Sequence, residues 1–214
     1  MDPRWKNALN GLGQIARAAG MPRAASALRG AARLDMLVEG ADGTNARRIP
    51  VVSIDDRVRI LRGNLIAGAH HPPIIDIARR IVSQKCGTDQ APAWCIAPND
   101  QAGEVRAFHR WTRANVRYLL DPVGVDMYAH PRHNIRQQAG DCDEQQAVMG
   151  SLCGAIGIVC WIVTGWEYGA PSWNHVWVEA ELKDGSRLPS DTSLYDEAGL
   201  ELPELKARRV WRVW

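Results

Sequence analysis

The chain has 214 residues, 46% of them hydrophobic, and a formal net charge of +2. That length suits one domain of good size or one domain with an appendage, and the balanced charge leaves no basic footprint for nucleic acid. No stretch reaches the ~18–20 apolar residues of a membrane span, and the first residues lack the apolar run of a signal peptide, so no transmembrane segment is expected and the expected compartment is a cytoplasm.

Residues 1–48 are rich in Ala, Gly and Arg, with six basic residues and one acidic residue before position 35. Trp5, Leu9, Leu12, Ala16 and Ala19 share one helical face, interrupted by Gly11, Gly13, Gly20 and Pro22. Residues 24–38 also have helical composition. The expectation is an N-terminal helical appendage, 1–48, packed on the main domain or on a partner, followed by a main domain, 49–214. A basic surface for membrane or nucleic acid is the alternative. Gly40-Ala41-Asp42-Gly43 reads as a linker.

Residues 49–54 read as a short strand, and 55–66 fit no single pattern. Pro72-Pro73 opens a helix over 74–84, with Ile74, Ile77, Ala78 and Ile81 on one face. Residues 86–100 read as a loop. Five cysteines, at 86, 95, 142, 153 and 160, are an odd number in a chain large enough to fold without staples. Reduced thiols are therefore expected, although Cys86 and Cys95 could pair if oxidised. There is no CxxC pair and no zinc spacing, and His70 and His71 read as surface residues. No metal and no cofactor is expected.

Asp100 caps a helix that runs through Val116, with Val105, Phe108, Trp111, Thr112 and Asn115 at helical spacing. Residues 116–120 continue it or extend from it. Asp121-Pro122-Val123-Gly124 reads as a turn. A loop over 126–138, carrying His130, Pro131 and His133, delivers the chain to Gly140-Asp141-Cys142-Asp143-Glu144. Asp141 suits a helix N-cap, and Glu144 stands three residues on, as in a capping box. Cys142 then occupies the first helical turn, where unpaired N–H groups and the helix dipole favour a thiolate. Asp141 and Asp143 oppose that, so a cationic partner is expected. A small buried apolar thiol is the ordinary alternative. Val148, Leu152, Ala155 and Ile156 give the helix its core face, and Gly157 can end it.

Residues 158–164 are apolar and β-branched, as in a strand buried on both faces, and 165–172 read as a loop. From 173 to 182 the pattern alternates. Val176, Val178, Ala180 and Leu182 share one face, and His175, Trp177, Glu179 and Glu181 the other. After a turn at 183–186 the chain returns over 187–191, where Pro189 suggests an edge strand. Residues 196–206 read as an acidic surface segment. The tail, 208–214, is either a final strand or a basic-aromatic tip.

Cys142, His175 and Asp191 come in the order nucleophile, base, orienter. Acyl transfer through a thiol needs a thiolate, an imidazole within reach and a carboxylate that fixes the imidazole tautomer. The turn decides whether Asp191 can serve. A two-residue loop places Asp191 opposite Val178, on the wrong face. A three-residue loop pairs Leu182 with Ser186 and places Asp191 opposite Trp177, beside His175. Gly185 stands at the third loop position, where a left-handed residue is needed, so the second register is expected.

Gly140-Asp-Cys-Asp-Glu144, Ala155-Ile-Gly-Ile158, Asn174-His-Val-Trp-Val-Glu179 and Ser190-Asp-Thr-Ser193 together resemble the transglutaminase-like cysteine peptidase superfamily. Its pattern is roughly GDC[DE], a helix ending in A-x-G-I, then H-[AV]-[WY]-V-E and V-D-P-T. Asn115-Val-Arg-Tyr118 resembles the family's N-[IV]-x-Y segment. The resemblance covers about residues 73–195, and one position departs: Thr192 stands where the pattern has Pro. It implies an α+β, papain-like fold in which a Cys-bearing helix packs on an antiparallel sheet. It also implies cleavage of, or transfer at, an amide in a protein or peptide substrate. The oxyanion would be met by the Cys142 backbone N–H and one donor from among Gln137, Gln138 and Tyr118. Asp121-Pro-Val-Gly124 and His130-Pro-Arg132 further resemble transglutaminase-like proteins encoded among tailed-phage structural genes. That implies synthesis in a host cytoplasm, a place in the virion, and virion partners met through the N-terminal helices. There the fold would serve as an enzyme or as a structural scaffold.

Overall fold

A computed structural model of the chain describes residues 35–38, 47–50, 53–88, 93–122 and 125–214. The helices expected before position 35, the linker at 40–43 and the end of the Asp121–Gly124 turn lie outside the described residues. Three sheets and five helices are seen among the described residues. Strands β1 (Asp35–Val38) and β2 (Arg47–Pro50) pair antiparallel, and β1 runs parallel to β4 (Val125–Tyr128). Residues 35–38 are thus strand, not the end of a helix over 24–38. The strand expected at 49–54 ends at Pro50, and helix begins at Ile54.

Helix α1 (Ile54–Ala69) occupies the stretch that fitted no pattern. Ser53 caps it by accepting the Asp56 N–H, and Asp55 and Asp56 suit its positive end. Its buried face includes Asn64 and Gly68 beside Val58, Leu61 and Leu65, and those two residues blur the apolar period. Helix α2 (Pro72–Val82) starts on its two prolines and buries Ile74 and Ala78. Between α2 and helix α3 (Gln101–Asn115), Cys86 and Cys95 form a disulfide. This corrects the expectation of reduced thiols throughout: the free cysteines are Cys142, Cys153 and Cys160, all buried.

The expected loop over 126–138 instead holds β4 and helix α4 (Pro131–Gln137). The inward residues of α4 are Pro131, Asn134 and Ile135, so no apolar stripe announced it. His130 accepts the Arg132 N–H at its start, and Gln138 ends it in the left-handed region, φ 56°. Two short parallel strands, β3 (Arg117–Tyr118) and β5 (Ala139–Gly140), then set the entry to helix α5 (Cys142–Ala155).

Every residue of α5 from Cys142 to Cys153 is buried. It is the central element, packed by α1, α2, α3, α4 and the large sheet. Gly150 allows α1 to come close, since a Cβ there would lie 2.2 Å from Leu65 Cδ2. The large sheet has the order β8-β7-β6-β9, all antiparallel: β6 (Cys160–Trp166), β7 (His175–Glu181), β8 (Arg187–Ser190) and β9 (Ala207–Arg212). The tail is therefore a final strand. β8 is an edge strand, as Pro189 suggested. Val176, Val178 and Ala180 of β7 join the core with Ile162 and Cys160 of β6. No helix among the described residues is long and apolar enough to cross a membrane.

Candidate active site

The start of α5 is fixed by its own sequence. Asp141 Oδ1 accepts the Asp143 N–H at 3.2 Å, and Glu144 Oε2 accepts the Asp141 N–H at 3.2 Å, a complete capping box. Cys142 is the first helical residue and 8% exposed. Its sulfur lies 3.6 Å from Asp143 Oδ1. Further along, Gln145 Nε2–H donates to the Val116 carbonyl at 2.7 Å, tying α5 to the start of β3.

Burial, with lesser effects from neighbouring acids, raises the carboxyls of Asp141 to about 7 and of Glu144 to about 8, and raises Asp143 well above the usual range. Asp121 and Asp126 belong to the same cluster, and Arg57 pairs with Asp126 at 3.2 Å. Protonation thus relieves much of the repulsion that a Cys142 thiolate would meet. Among the described residues two sets could hold a cation: Asp121, Asp126 and Asp141, or Asp141, Cys142 and Asp143, each with ligand atoms within 4.8 Å of one another.

His175 and Asp191 are brought together by the hairpin. Gly185 has φ 82°, Leu182 N–H donates to Ser186 O at 2.8 Å, and Glu181 pairs with Arg187 through to Val178 with Ser190. One step further, Asp191 lies opposite Trp177, the three-residue-loop register. His175 Nε2 and Asp191 Oδ2 are 2.7 Å apart. The other Asp191 oxygen accepts from Ser193 N–H (3.1 Å), Ser193 Oγ (2.7 Å) and Leu194 N–H (3.2 Å). Ser193 stands where the family pattern has Thr, so its hydroxyl anchors the carboxylate despite the missing Pro. Burial opposes both charges, but attraction wins: the His175 ring is held above its ordinary range and Asp191 below its own. With Nε2 committed to Asp191, Nδ1 is the nitrogen left for proton chemistry. The Asp143 charge also acts on His175.

Sequence reasoning missed the residues that hold this arrangement. Gln146 Nε2–H donates to Thr192 Oγ1 at 2.9 Å and its Oε1 accepts the Val178 N–H at 3.3 Å, joining α5 to β7 and to the segment after β8. His109 of α3 is fully buried, with Nε2 2.9 Å from the Tyr195 carbonyl and Nδ1 2.9 Å from Ser190 Oγ. A carbonyl only accepts, so Nε2 carries the proton and Ser190 donates to Nδ1. Burial pulls its pKa down, which keeps the ring neutral. Arg113 donates to the Thr192 carbonyl at 2.6 Å and pairs with Asp196 at 2.7 Å. His109 lies at i+4 from Val105 and i−3 from Thr112, so the helical period already put it on the buried face. Of the residues considered for the oxyanion, Gln137 and Gln138 are exposed at the end of α4, and Tyr118 is exposed opposite Gly140.

With this geometry described, the comparisons with known proteins can be placed. Residues 94–192 match the transglutaminase-like superfamily. The match ends one residue after Asp191 and includes Cys142 and His175. The transglutaminase-like fold here is α+β, with the Cys142-bearing helix against an antiparallel sheet. Two of the similar solved structures are these. One is a candidate cysteine protease from Cytophaga hutchinsonii, TM-score 0.46 and 18% identity, over 76% of this chain and 54% of that one. The other is a candidate protease from Parabacteroides distasonis, TM-score 0.45 and 13% identity, over 78% of this chain and 35% of that one. The chain thus spans about half of the first and about a third of the second. No curated protein matches it.

Proposed function

We propose that this protein is a thiol-dependent enzyme acting on an amide bond of a protein or peptide, through Cys142, His175 and Asp191. The observation that carries the reading is the 2.7 Å bond between His175 and Asp191, produced by a hairpin register that a one-residue slip would abolish. Asp191 fixes the ring and stabilises the imidazolium. The Cys142 thiol gives its proton to His175 Nδ1, and the sulfur attacks the amide carbonyl. The resulting oxyanion is met by the Cys142 backbone N–H, with Gln137, Gln138 or Tyr118 as the further donor. His175 then returns the proton to the leaving amine, and a thioester remains. Water completes hydrolysis; an amine completes transfer. Exposed Tyr118, Leu119 and Leu120 beside β5, and exposed Leu194 beside Asp191, would offer apolar side chains to the substrate chain. The part of residues 1–48 before β1 is proposed as a partner-binding appendage, while 35–38 and 47–48 belong with β4 of the main domain. A virion setting is supported by the D-P-x-G and H-P-R segments before Cys142, and the chemistry does not depend on it.

Alkylation of the three free thiols, followed peptide by peptide, tests the reading. Cys142 should react far faster than Cys153 and Cys160, and His175→Ala should remove that advantage. Equal, slow reaction of all three would make the fold a scaffold instead. A search by mass spectrometry for a peptide altered by wild type and untouched by Cys142→Ala would identify the substrate.

A further inference from the structure

Asp191 stands one residue beyond the β7–β8 ladder, whose last pair is Val178 with Ser190. The ladder by itself therefore does not hold the carboxylate against His175. The turn that carries Asp191 is closed locally. The Tyr195 N–H donates to the Asp191 carbonyl at 3.2 Å, and Ser193 and Leu194 donate to Oδ1. Those bonds give the turn its shape. They do not fix its tilt against the sheet, because each of them lies within residues 191–195.

Helix α3 supplies bonds that can fix the tilt. His109 is fully buried there and spans both ends of the turn. Ser190 Oγ donates to its Nδ1 and its Nε2–H donates to the Tyr195 carbonyl, each at 2.9 Å. Four residues on, and so on the same helical face, Arg113 donates to the Thr192 carbonyl at 2.6 Å. Ser190 lies opposite Val178, a core residue, so His109 meets the chain from the core side. Asp191 turns to the other face, where His175 stacks on Trp177.

The two arms of His109 are unequal. Ser190 is placed by its pairing with Val178 whether or not His109 binds it. Tyr195 lies beyond the ladder, so the bond to its carbonyl ties the far end of the turn to α3. The charge of Asp191 reaches this ring, yet burial keeps it neutral. His109 can thus hold the turn without competing with His175 for that charge.

We propose that His109 is a positioning residue: through its bond to the Tyr195 carbonyl it sets the tilt of the Asp191 turn and so holds the carboxylate at the His175 ring. This rests on the reading of Cys142, His175 and Asp191 as one catalytic set. His109 touches none of the reacting atoms, and no proton leaves it.

The test compares His109→Gln, His109→Asn and His109→Phe in the 15N-labelled full chain. The Gln amide reaches the place of Nε2–H and keeps the Tyr195 arm. The shorter Asn reaches only the place of Nδ1 and keeps the Ser190 arm, and Phe fills the space with neither. One readout is the proton resonance of the His175 Nε2–H bonded to Asp191, assigned by its absence in His175→Ala. The other is the rate of Cys142 alkylation by iodoacetamide at neutral pH. In His109→Phe the His175 proton should exchange with water roughly three- to tenfold faster, the worth of one hydrogen bond, and alkylation should slow by a similar factor. His109→Gln should restore both readouts and His109→Asn neither. A His109→Phe protein that is less stable but leaves both readouts unmoved would make His109 structural only, and the proposal wrong. Rescue by Asn rather than Gln would put the control in the Ser190 arm and overturn it too. Should His109→Phe not fold, the Gln–Asn contrast decides alone, and equal behaviour of the two refutes the proposal. The parent reading fails separately. A wild-type Cys142 with no advantage over Cys153 and Cys160 would remove the catalytic role, while the His175 resonance would still report whether His109 holds Asp191.

Discussion

Two regions of this molecule bury carboxyl groups and resolve the problem differently. On the outer face of the large sheet, Glu179 is 3% exposed and pairs with Arg208 and with Arg187 at 3.6 Å. Beside it the Trp161 N–H donates to Glu181 at 2.7 Å, and the Arg187 guanidinium lies 3.7 Å over the Trp161 ring. There cations stand next to the acids. At the start of α5, Asp141, Asp143 and Glu144 are buried around a thiol, and Arg57 is a cation engaged at the edge with Asp126. There protons stand in for cations. On the proposed reading the difference follows from what each place must do: a structural acid can keep a permanent counter-ion, whereas a fixed cation beside Cys142 would compete with His175 for the thiolate.

The sharpest way to break the contrast is Arg57→Met. It leaves Asp126 buried without that cation, and the loss should be about 3–5 kcal/mol at neutral pH and above. Denaturant unfolding of the variant beside wild type at neutral pH measures the loss.

Next comes the pH dependence of wild type. Asp141, Asp143 and Glu144 have folded pKa values raised above their ordinary 3.8, 3.8 and 4.5, so the folded state holds protons that the unfolded chain has released. Such groups make stability fall as pH rises. His175, also raised, acts in the same direction. His130, buried and held down to about 4 against its ordinary 6.5, acts the other way, but only below about 6.5. Stability should therefore decline between pH 6.5 and 8 by about 1.4 kcal/mol per pH unit for each proton held only when folded. Chemical denaturation across that range checks the slope, and Glu144→Gln should flatten it.

On the outer face, Glu179→Gln should cost about 1 kcal/mol, because its arginines are more than a third exposed and water can take them. That loss should diminish in high salt. Arg187→Ala should cost the least, about 0.5–1 kcal/mol from the stacking on Trp161; a larger loss would mean that the ion pair to Glu179 dominates.

What could be read from the sequence was local. The capping box needs only Asp141 and Glu144, the alternation of β7 only its own residues, and the turn only Gly185. The last two set the register that brings Asp191 to His175. Gln146 and His109 were missed because their partners, Thr192, Val178, Ser190 and Tyr195, lie on other elements, and nothing in the residues around them announces the bond. α4 escaped notice because its buried face is Pro131 and Asn134 rather than an apolar stripe. The acid cluster was half legible: Asp141 and Asp143 were seen to oppose a thiolate. That Asp121 and Asp126 would join them, and that burial would be answered by protons, depends on three separate stretches of chain meeting. The disulfide between Cys86 and Cys95 was weighed on compartment, which says nothing about how close two particular thiols come.

The hairpin has a further consequence in the order of folding. His175 and Asp191 are 16 residues apart, whereas the Ser151 bond that docks the Cys142 helix on α1 spans 86. The entropy of closing a loop grows with its length, and distant pairings form slowly. On the proposed reading, the base and its orienter are thus the early, inexpensive half of the constellation, and the thiol joins last. On that reading, a chain caught part-way would carry a poised imidazole and no activated sulfur, and would stay chemically silent until its helices have closed around it. Pulsed alkylation during refolding would reveal that sequence, with Cys142 gaining its reactivity only in the final phase.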